Sequence, residues 1–284
     1  MNQPVKPDIQ APVVCPTRAI CKVGGTDEER LVCVAEETPV AFRYDGFSHA
    51  VMMATPEHLQ DFAFGFSRSE GIIDTHADIR DISIDLAEEG ATIDISLAGN
   101  ALHLYLANRR IRRLKGHTSC GLCGVEDLSD VRRLTSPLRP APPLNAEAVR
   151  SAFTALRQWQ PLSRHTRGAH ASAWVSREGA LRVVREDVGR HNSLDKLIGA
   201  LLRTQVSADD GFCLITSRCS LEIVQKAVAA GIATLVSAGA PTGLAVRFAE
   251  TASLSLYSLS RDGEPLQFTS AVGLEDERWP VHAS

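Results

Sequence analysis

The chain has 284 residues, 44% of them hydrophobic and 23% charged, enough apolar side chain to bury a sizeable core and to build two domains. A formal net charge of −4 and a pI near 6.1 exclude a global attraction to nucleic acid or to an anionic membrane surface, so any basic character must be local. No apolar stretch reaches the roughly 18 residues that suggest a spanning helix, and MNQPVKPDIQAPVVCPTR lacks the apolar run of a signal peptide, so the expectation is a cytoplasmic protein without membrane or nucleic-acid partners.

Residues 1–28 are rich in proline and polar side chains and read as a flexible arm. A smaller N-terminal α+β domain, rich in antiparallel strands, is expected over 29–136. Within it, PVAFRYDGFSHAVMMATP (39–56) reads as two strands joined at Asp45–Gly46, a strong hairpin signal. Thr55 is expected to cap a helix with Pro56 at its first position, because Leu59, Phe62, Ala63 and Phe66 recur at helical spacing. Ile82/Ile84/Leu86, Ile93/Ile95/Leu97 and Leu102/Leu104/Leu106 each alternate with polar residues, the pattern of half-buried antiparallel strands. A cysteine-bearing loop over 107–127 closes this part.

PLRPAPPL (137–144) marks the domain boundary. Beyond it, over 145–284, a helix is expected from Asn145, burying Val149, Phe153 and Leu156. Strand-like ASAWVS, LRVVR, FCLIT, ATLVS and LSLYSL then alternate with helices from Asn192, from Ser220 to Gly231, and after Pro241. That order predicts a three-layer α/β domain around a mixed sheet.

The seven cysteines have scattered spacings that do not suggest a disulfide framework. Cys33 and Cys213 sit in apolar runs and are expected to be small buried hydrophobes. Cys120 and Cys123 alone form a pattern, in HTSCGLCGVEDL (117–128). A structural zinc site needs four ligands, and here one pair stands without a second pair or an H-x3–5-H element. A thioredoxin-type dithiol belongs between a strand and a helix of a βαβ unit, whereas this pair follows a basic segment. The remaining reading is a nucleophilic thiol on a mobile loop. Arg109, Arg110, Arg112, Arg113 and Lys115 precede it closely, and neighbouring cations stabilise a thiolate. Gly121 and Gly124 supply backbone freedom. All three readings stay open on these residues alone.

The second half places polar residues where helices begin. Asp187, Gly189, Arg190, His191 and Asn192 precede or open one helix; Ser217, Arg218 and Ser220 precede another; Pro241, Thr242 and Gly243 precede a third. Exposed N–H groups and the helix dipole make such starts anion sites, and arginine adds bidentate phosphate recognition. Helix capping explains any one of them as well. Three in one domain, two of them with arginine, favour a phosphate-bearing ligand.

These stretches resemble the FdhD family of formate dehydrogenase accessory sulfurtransferases. The likeness runs from EETPVAFRYDG and ATPEHLQDFAFGFSRSEGII through TSCGLCGVEDL, RGAHASAW and REDVGRHNSLDKLIG to SRCSLEIVQKAVAAGI and APTGLAVRFAE, in one order along the chain. It implies a cytidine-deaminase-like three-layer α/β/α fold for the C-terminal domain. It also implies a carrier that takes sulfur as a persulfide from a cysteine desulfurase and passes it to the molybdenum cofactor, Mo-bis(molybdopterin guanine dinucleotide). The cofactor is a bound substrate sulfurated before it enters formate dehydrogenase, and no permanently bound metal is expected.

By resemblance Cys120 carries the persulfide and Cys123 assists. The family's cofactor-binding segment falls on Leu259, Ser260, Arg261, Asp262, Gly263 and Glu264, and a homodimer is expected. Arg190, His191, Asn192 and Asp187 are expected at the guanine or phosphates, with Gly189, Arg218 and Thr242 beside them. Glu264 stands where a basic residue is common in the family, and Ser217 where many members have glycine. Deaminase chemistry needs H-x-E followed later by P-C-x-x-C; here His170 is followed by Ala171 and Ser172, and Cys219 has Glu222 three residues on. The rival functions are a cofactor-binding chaperone that transfers no sulfur, a zinc-dependent nucleotide hydrolase, and a free-standing thiol oxidoreductase.

Overall fold

The computed structural model describes residues 13–23, 26–115, 137–207 and 210–270. Residues 1–12 of the expected arm, the pair Cys120 and Cys123 with Gly121 and Gly124, and the end of the chain from 271 lie outside the described residues.

The first strands overturn part of the expected arm. β1 (Val14–Val23) pairs antiparallel with β2 (Thr26–Ala35), from Val14 opposite Ala35 to Val23 opposite Thr26. Ile20 is 64% and Leu31 75% exposed, so this ribbon offers no buried apolar alternation for a sequence pattern to reveal. Cross-strand pairs decorate it instead, Arg18 with Glu29 at 3.1 Å and Lys22 with Asp27 at 2.8 Å. Cys33 on β2 is exposed, contrary to expectation, whereas Cys213 is buried.

A four-stranded sheet follows, in the order β4-β3-β6-β5. β3 (Thr38–Tyr44) and β4 (Phe47–Ala54) form the expected hairpin, with Asp45 at φ 47° and Gly46 at φ 76° as a primed turn requires. β5 (Ile79–Ala87) and β6 (Gly90–Leu97) form a second antiparallel pair. The two hairpins join through β3 and β6, which run parallel, so the sheet is mixed. The long connection between these two strands permits that pairing. Val40, Phe42, Tyr44, Ile93, Ile95 and Leu97 face α1 (Leu59–Ser69), whose Leu59, Phe62, Ala63 and Phe66 complete the core.

Leu102, Leu104 and Leu106 are not a strand: they lie on α2 (Gly99–Lys115). Ala101 and Tyr105, four apart, are buried there, Leu102 and Leu106 are partly buried, and Leu104 is 53% exposed. The residues that decide the helical face are Ala101, just before the leucines, and Tyr105 between the last two. Arg109 to Lys115, expected in the loop, therefore belong to the helix backbone.

The second half is the expected three-layer arrangement. Its six-stranded mixed sheet runs β12-β11-β10-β9-β7-β8. The strands are β7 (His170–Ser176), β8 (Leu181–Asp187), β9 (Gly211–Ile215), β10 (Thr234–Ser237), β11 (Ser255–Leu259) and β12 (Pro265–Gln267). One face packs Ala173, Val175, Phe212, Leu214, Val236 and Tyr257 against α3 (Ala146–Leu156). The other packs Trp174, Cys213, Ile215, Leu235 and Leu256 against α5 (Arg190–Thr204), α6 (Leu221–Ala229) and α7 (Gly243–Thr251). Successive residues alternate between the layers, as the pleat demands. Asn145 caps α3 by accepting the Glu147 N–H at 2.9 Å; Val149 and Leu156 are buried as expected, but Phe153 is 40% exposed and Ala152 takes its place in the core. α4 (Pro161–Thr166) is a short helix whose first N–H groups, on Leu162 and Ser163, donate to the buried Glu186 carboxylate.

The halves lock together where α1 crosses α5. A Cβ on Gly65 would lie 1.6 Å from the Asp195 carbonyl oxygen, and one on Gly199 would lie 1.8 Å from that of Asp61. Only glycine permits backbones this close. Buried ion pairs flank the crossing: Asp61 accepts from Arg185 at 2.7 Å and Arg203 at 2.6 Å, and Asp195 from Lys226 at 2.8 Å.

Candidate functional site

The register of the six-stranded sheet puts several sequence-predicted residues at one edge. His170 at the start of β7 stands opposite Asp187 at the end of β8, Ser172 opposite Ile215, Ser237 opposite Ile215 and Ser237 opposite Ser258. The carboxyl ends of β8, β9, β10 and β11 therefore share an edge, and α5, α6 and α7 each start there. Open α/β sheets take their ligands at that edge.

Neighbouring loops tie these helix starts to one another. His191 on α5 approaches Glu222 on α6, Nε2 to Oε2 2.8 Å, off the line a hydrogen bond needs. Cys219 bridges to Pro241, and Thr242 N–H donates to the Cys219 carbonyl at 3.0 Å. Gly239 packs so tightly on Arg218 that a Cβ would lie 3.0 Å from the Arg218 Cα. Thr242 caps α7 by accepting the Ala245 N–H at 3.3 Å. Ser220 stands at the start of α6 with its Oγ buried and without a hydrogen-bond partner among the described residues.

Leu259 ends β11 at the same edge. Ser260 to Glu264 form the turn into β12: the Ser260 N–H donates to the Glu264 carbonyl at 2.8 Å, and Ser260 Oγ accepts the Glu264 N–H at 3.0 Å. Gly263, at φ 82°, supplies the left-handed residue the turn needs. Arg261 and Asp262 are exposed. The Glu264 carboxylate points to α3, where Arg150 holds it at 2.7 Å.

The edge carries both signs, with the Glu222 and Asp262 carboxylates among its arginines. Arg190, Arg218 and Arg261 have no ion-pair partner among the described residues; Arg190 opens α5, Arg218 precedes α6 and Arg261 lies in the turn after β11. Guanidinium groups and helix N-termini are both groups that anions favour. His191 adds no charge: burial, then Arg190, Lys226 and His170, push its imidazole down to about 4. His170 is lowered by burial and by Arg190.

Asp187 and Asn192 are corrections. Both were expected at the ligand, yet Asp187 is 0% and Asn192 3% exposed. Asp187 Oδ1 accepts from Gly189 N at 2.7 Å and Asn192 Nδ2 at 3.0 Å; Oδ2 accepts from Thr55 N at 3.0 Å and Lys196 Nζ at 2.6 Å. Asn192 also donates to the Met53 carbonyl at 2.7 Å. Both residues form the clasp behind the turn that carries Arg190 and His191. Gly189 fits because a Cβ would come within 2.7 Å of Asn192 Nδ2.

Thr55 also departs from expectation. α1 begins at Leu59 behind His58, and Thr55 is buried under the α5 turn, its Oγ1 accepting the Val188 N–H at 3.2 Å.

The profile of the FdhD/NarQ family matches residues 35–273. The chain belongs to that family. It is 46% identical over 244 residues to the sulfur carrier protein FdhD of Cupriavidus necator, covering 86% of this chain and 84% of the relative. Similarity to the proteins of that name from Xanthomonas campestris (45%, 85% of each chain) and Bordetella petrii (43%, 88% and 90%) is comparable. The fold matches a crystal structure of a protein assigned as a formate dehydrogenase accessory protein from Desulfotalea psychrophila. That match has a TM-score of 0.71 at 22% identity, over 90% of this chain and 97% of the other.

In this FdhD/NarQ chain, sequence reasoning missed Thr55, Lys196, and the set Asp195, Lys226 and Ser69. Lys226 Nζ lies 2.9 Å from Asp195 Oδ1, 2.8 Å from Oδ2 and 2.9 Å from Ser69 Oγ. A lysine beside Ala227 and Val228, three residues after Ile223 in the amphipathic helix LEIVQKAVA, was the available signal: a lysine drawn into the buried face implies a carboxylate partner. Nothing local marked Thr55, whose partners Asp187, Val188 and Lys196 lie more than a hundred residues away. Among the described residues no helix is long and apolar enough to cross a membrane.

Proposed function

We propose that this chain is a sulfur carrier in formate dehydrogenase maturation, a sulfurtransferase that uses Cys120 as its persulfide site. The Cys120 thiolate attacks the terminal sulfur of a cysteine desulfurase persulfide. An S–S bond forms at Cys120, and the donor cysteine leaves as a thiolate. Cys123 then attacks Cys120 Sγ, releasing sulfide and leaving a Cys120–Cys123 disulfide that a cellular thiol reduces. The sulfide is delivered to the molybdenum of Mo-bis(molybdopterin guanine dinucleotide), held as substrate, before that cofactor enters formate dehydrogenase.

The observation that carries the reading is the edge where α5, α6 and α7 begin, with Arg190, Arg218 and Arg261 lacking carboxylate partners among the described residues. Guanosine diphosphate moieties offer the anionic oxygens such a surface takes. Arg190, His191, Arg218, Thr242 and the turn from Leu259 to Glu264 form the contact surface. Asp187, Gly189 and Asn192 support it from behind. The relatives' name, sulfur carrier, favours the transfer chemistry, and Arg109 to Lys115, preceding Cys120 in sequence, favour its thiolate. The protein acts in the cytoplasm as a homodimer.

Complementation of a strain lacking its own carrier separates this from a chaperone. Cys120→Ala is expected to abolish formate dehydrogenase activity, and Arg190→Ala to reduce it through weaker cofactor binding. Full activity with Cys120→Ala and loss only with Arg190→Ala would establish the chaperone instead.

A further inference from the structure

The clasp behind the α5 turn contains a buried ion pair that the proposed chemistry does not use. Lys196 and Asp187 are both 0% exposed, 2.6 Å apart. The Lys196 ammonium also donates to the Thr55 carbonyl at 2.8 Å and lies 5.6 Å from the Phe62 ring centroid. Both Asp187 oxygens meet donors only, the bonding of a carboxylate anion. The Gly189 N–H that donates to Asp187 belongs to the residue capping α5, so this negative charge sits at the helix start. His170 stands opposite Asp187 across the β7/β8 ladder, and its imidazole responds to both Asp187 and Arg190. The carboxylate's field therefore reaches the edge that carries Arg190.

Magnitudes decide what that charge would do alone. A helix N-terminus presents roughly half a unit of positive charge, whereas a carboxylate carries a whole negative unit. Unneutralised, Asp187 would outweigh the α5 dipole and repel a phosphate. Its removal is also unfavourable, since Gly189, Asn192 and Thr55 take their geometry from it.

We propose that Lys196 is a positioning residue for the anionic ligand of this edge: it cancels the Asp187 charge, so the turn keeps its carboxylate clasp and α5 still opens on a positive field. This rests on the reading that the edge binds a guanylated phosphate ligand.

The test measures GDP binding to the purified full chain by calorimetry, with thermal unfolding in parallel, for wild type, Lys196→Met, Asp187→Asn and the double variant. Lys196→Met is expected to bind GDP about tenfold more weakly. Asp187→Asn should lose no more than about threefold, the cost of a loosened clasp, and the double variant should bind like it, although both single variants unfold earlier. A clasp that only shapes the turn predicts comparable weakening in both single variants and no recovery in the double variant, which would overturn the inference. Should Lys196→Met not fold, the other two decide: binding within about threefold of wild type in both supports charge cancellation, and about tenfold weaker binding in both contradicts it. Wild-type protein that binds no GDP would instead refute the guanylated-ligand reading, and this inference with it.

Discussion

Thr55 commits three groups to the far side of the molecule: its N–H to Asp187, its carbonyl to Lys196 and its Oγ1 to the Val188 N–H. Thr55→Val keeps the shape and leaves the Val188 N–H without that acceptor, so urea denaturation should show a loss of about 1–2 kcal/mol. An unchanged midpoint would mean that the hydroxyl contributes nothing. His191 leads to a pH prediction. Its folded imidazole is held down at about 4 by burial and then by Arg190, whereas an unfolded histidine titrates near 6.5. Between those values the unfolded chain takes up a proton that the folded chain refuses, so stability falls as pH drops from about 6.5 toward 4. His58 and His170, both lowered first by burial, add the same sign. His191→Gln should flatten the dependence of Tm on pH between about 7 and 5, above the carboxylate range. A slope equal to that of wild type would contradict the assignment.

Between α1 and α5, Gly65 and Gly199 allow carbonyl oxygens to approach where side chains would stand. Gly65→Ala puts a methyl group into the Asp195 carbonyl, and backbone displacement is unavoidable. A loss of about 3 kcal/mol or more is expected by chemical denaturation; wild-type stability would show that the helices cross farther apart. This crossing was not legible in the sequence, because a glycine inside a helix pattern says nothing of the helix it will meet. Elements defined by local rules were legible. Asp45–Gly46 announced its hairpin, and the order of strands and helices after residue 145 announced the three layers. Where two periods fit, local pattern misled, as at Leu102, Leu104 and Leu106, whose alternation concealed the Ala101–Tyr105 helical face. The candidate site divided the same way. Arginines and caps at helix starts stood out by residue type, whereas the inward turn of Asp187 and Asn192 depended on partners at Met53 and Thr55, more than a hundred residues earlier.

At the scale of the molecule, two sheets share one helical seam, and the seam's clasp lies directly behind the edge that carries Arg190. The N-terminal half thus shapes the surface that would hold the cofactor's guanylated ends, and it also leads, through α2, into the segment bearing Cys120 and Cys123. The proposed carrier chemistry and the proposed cofactor binding are in this way joined along one chain. Intact-mass analysis of the full protein after incubation with a cysteine desulfurase and cysteine tests the central claim most directly. The account predicts a gain equal to one sulfur atom, removable by a thiol reductant, mapping to Cys120 and absent from Cys120→Ala. An equal gain in Cys120→Ala, or no gain in the wild-type chain, would contradict it.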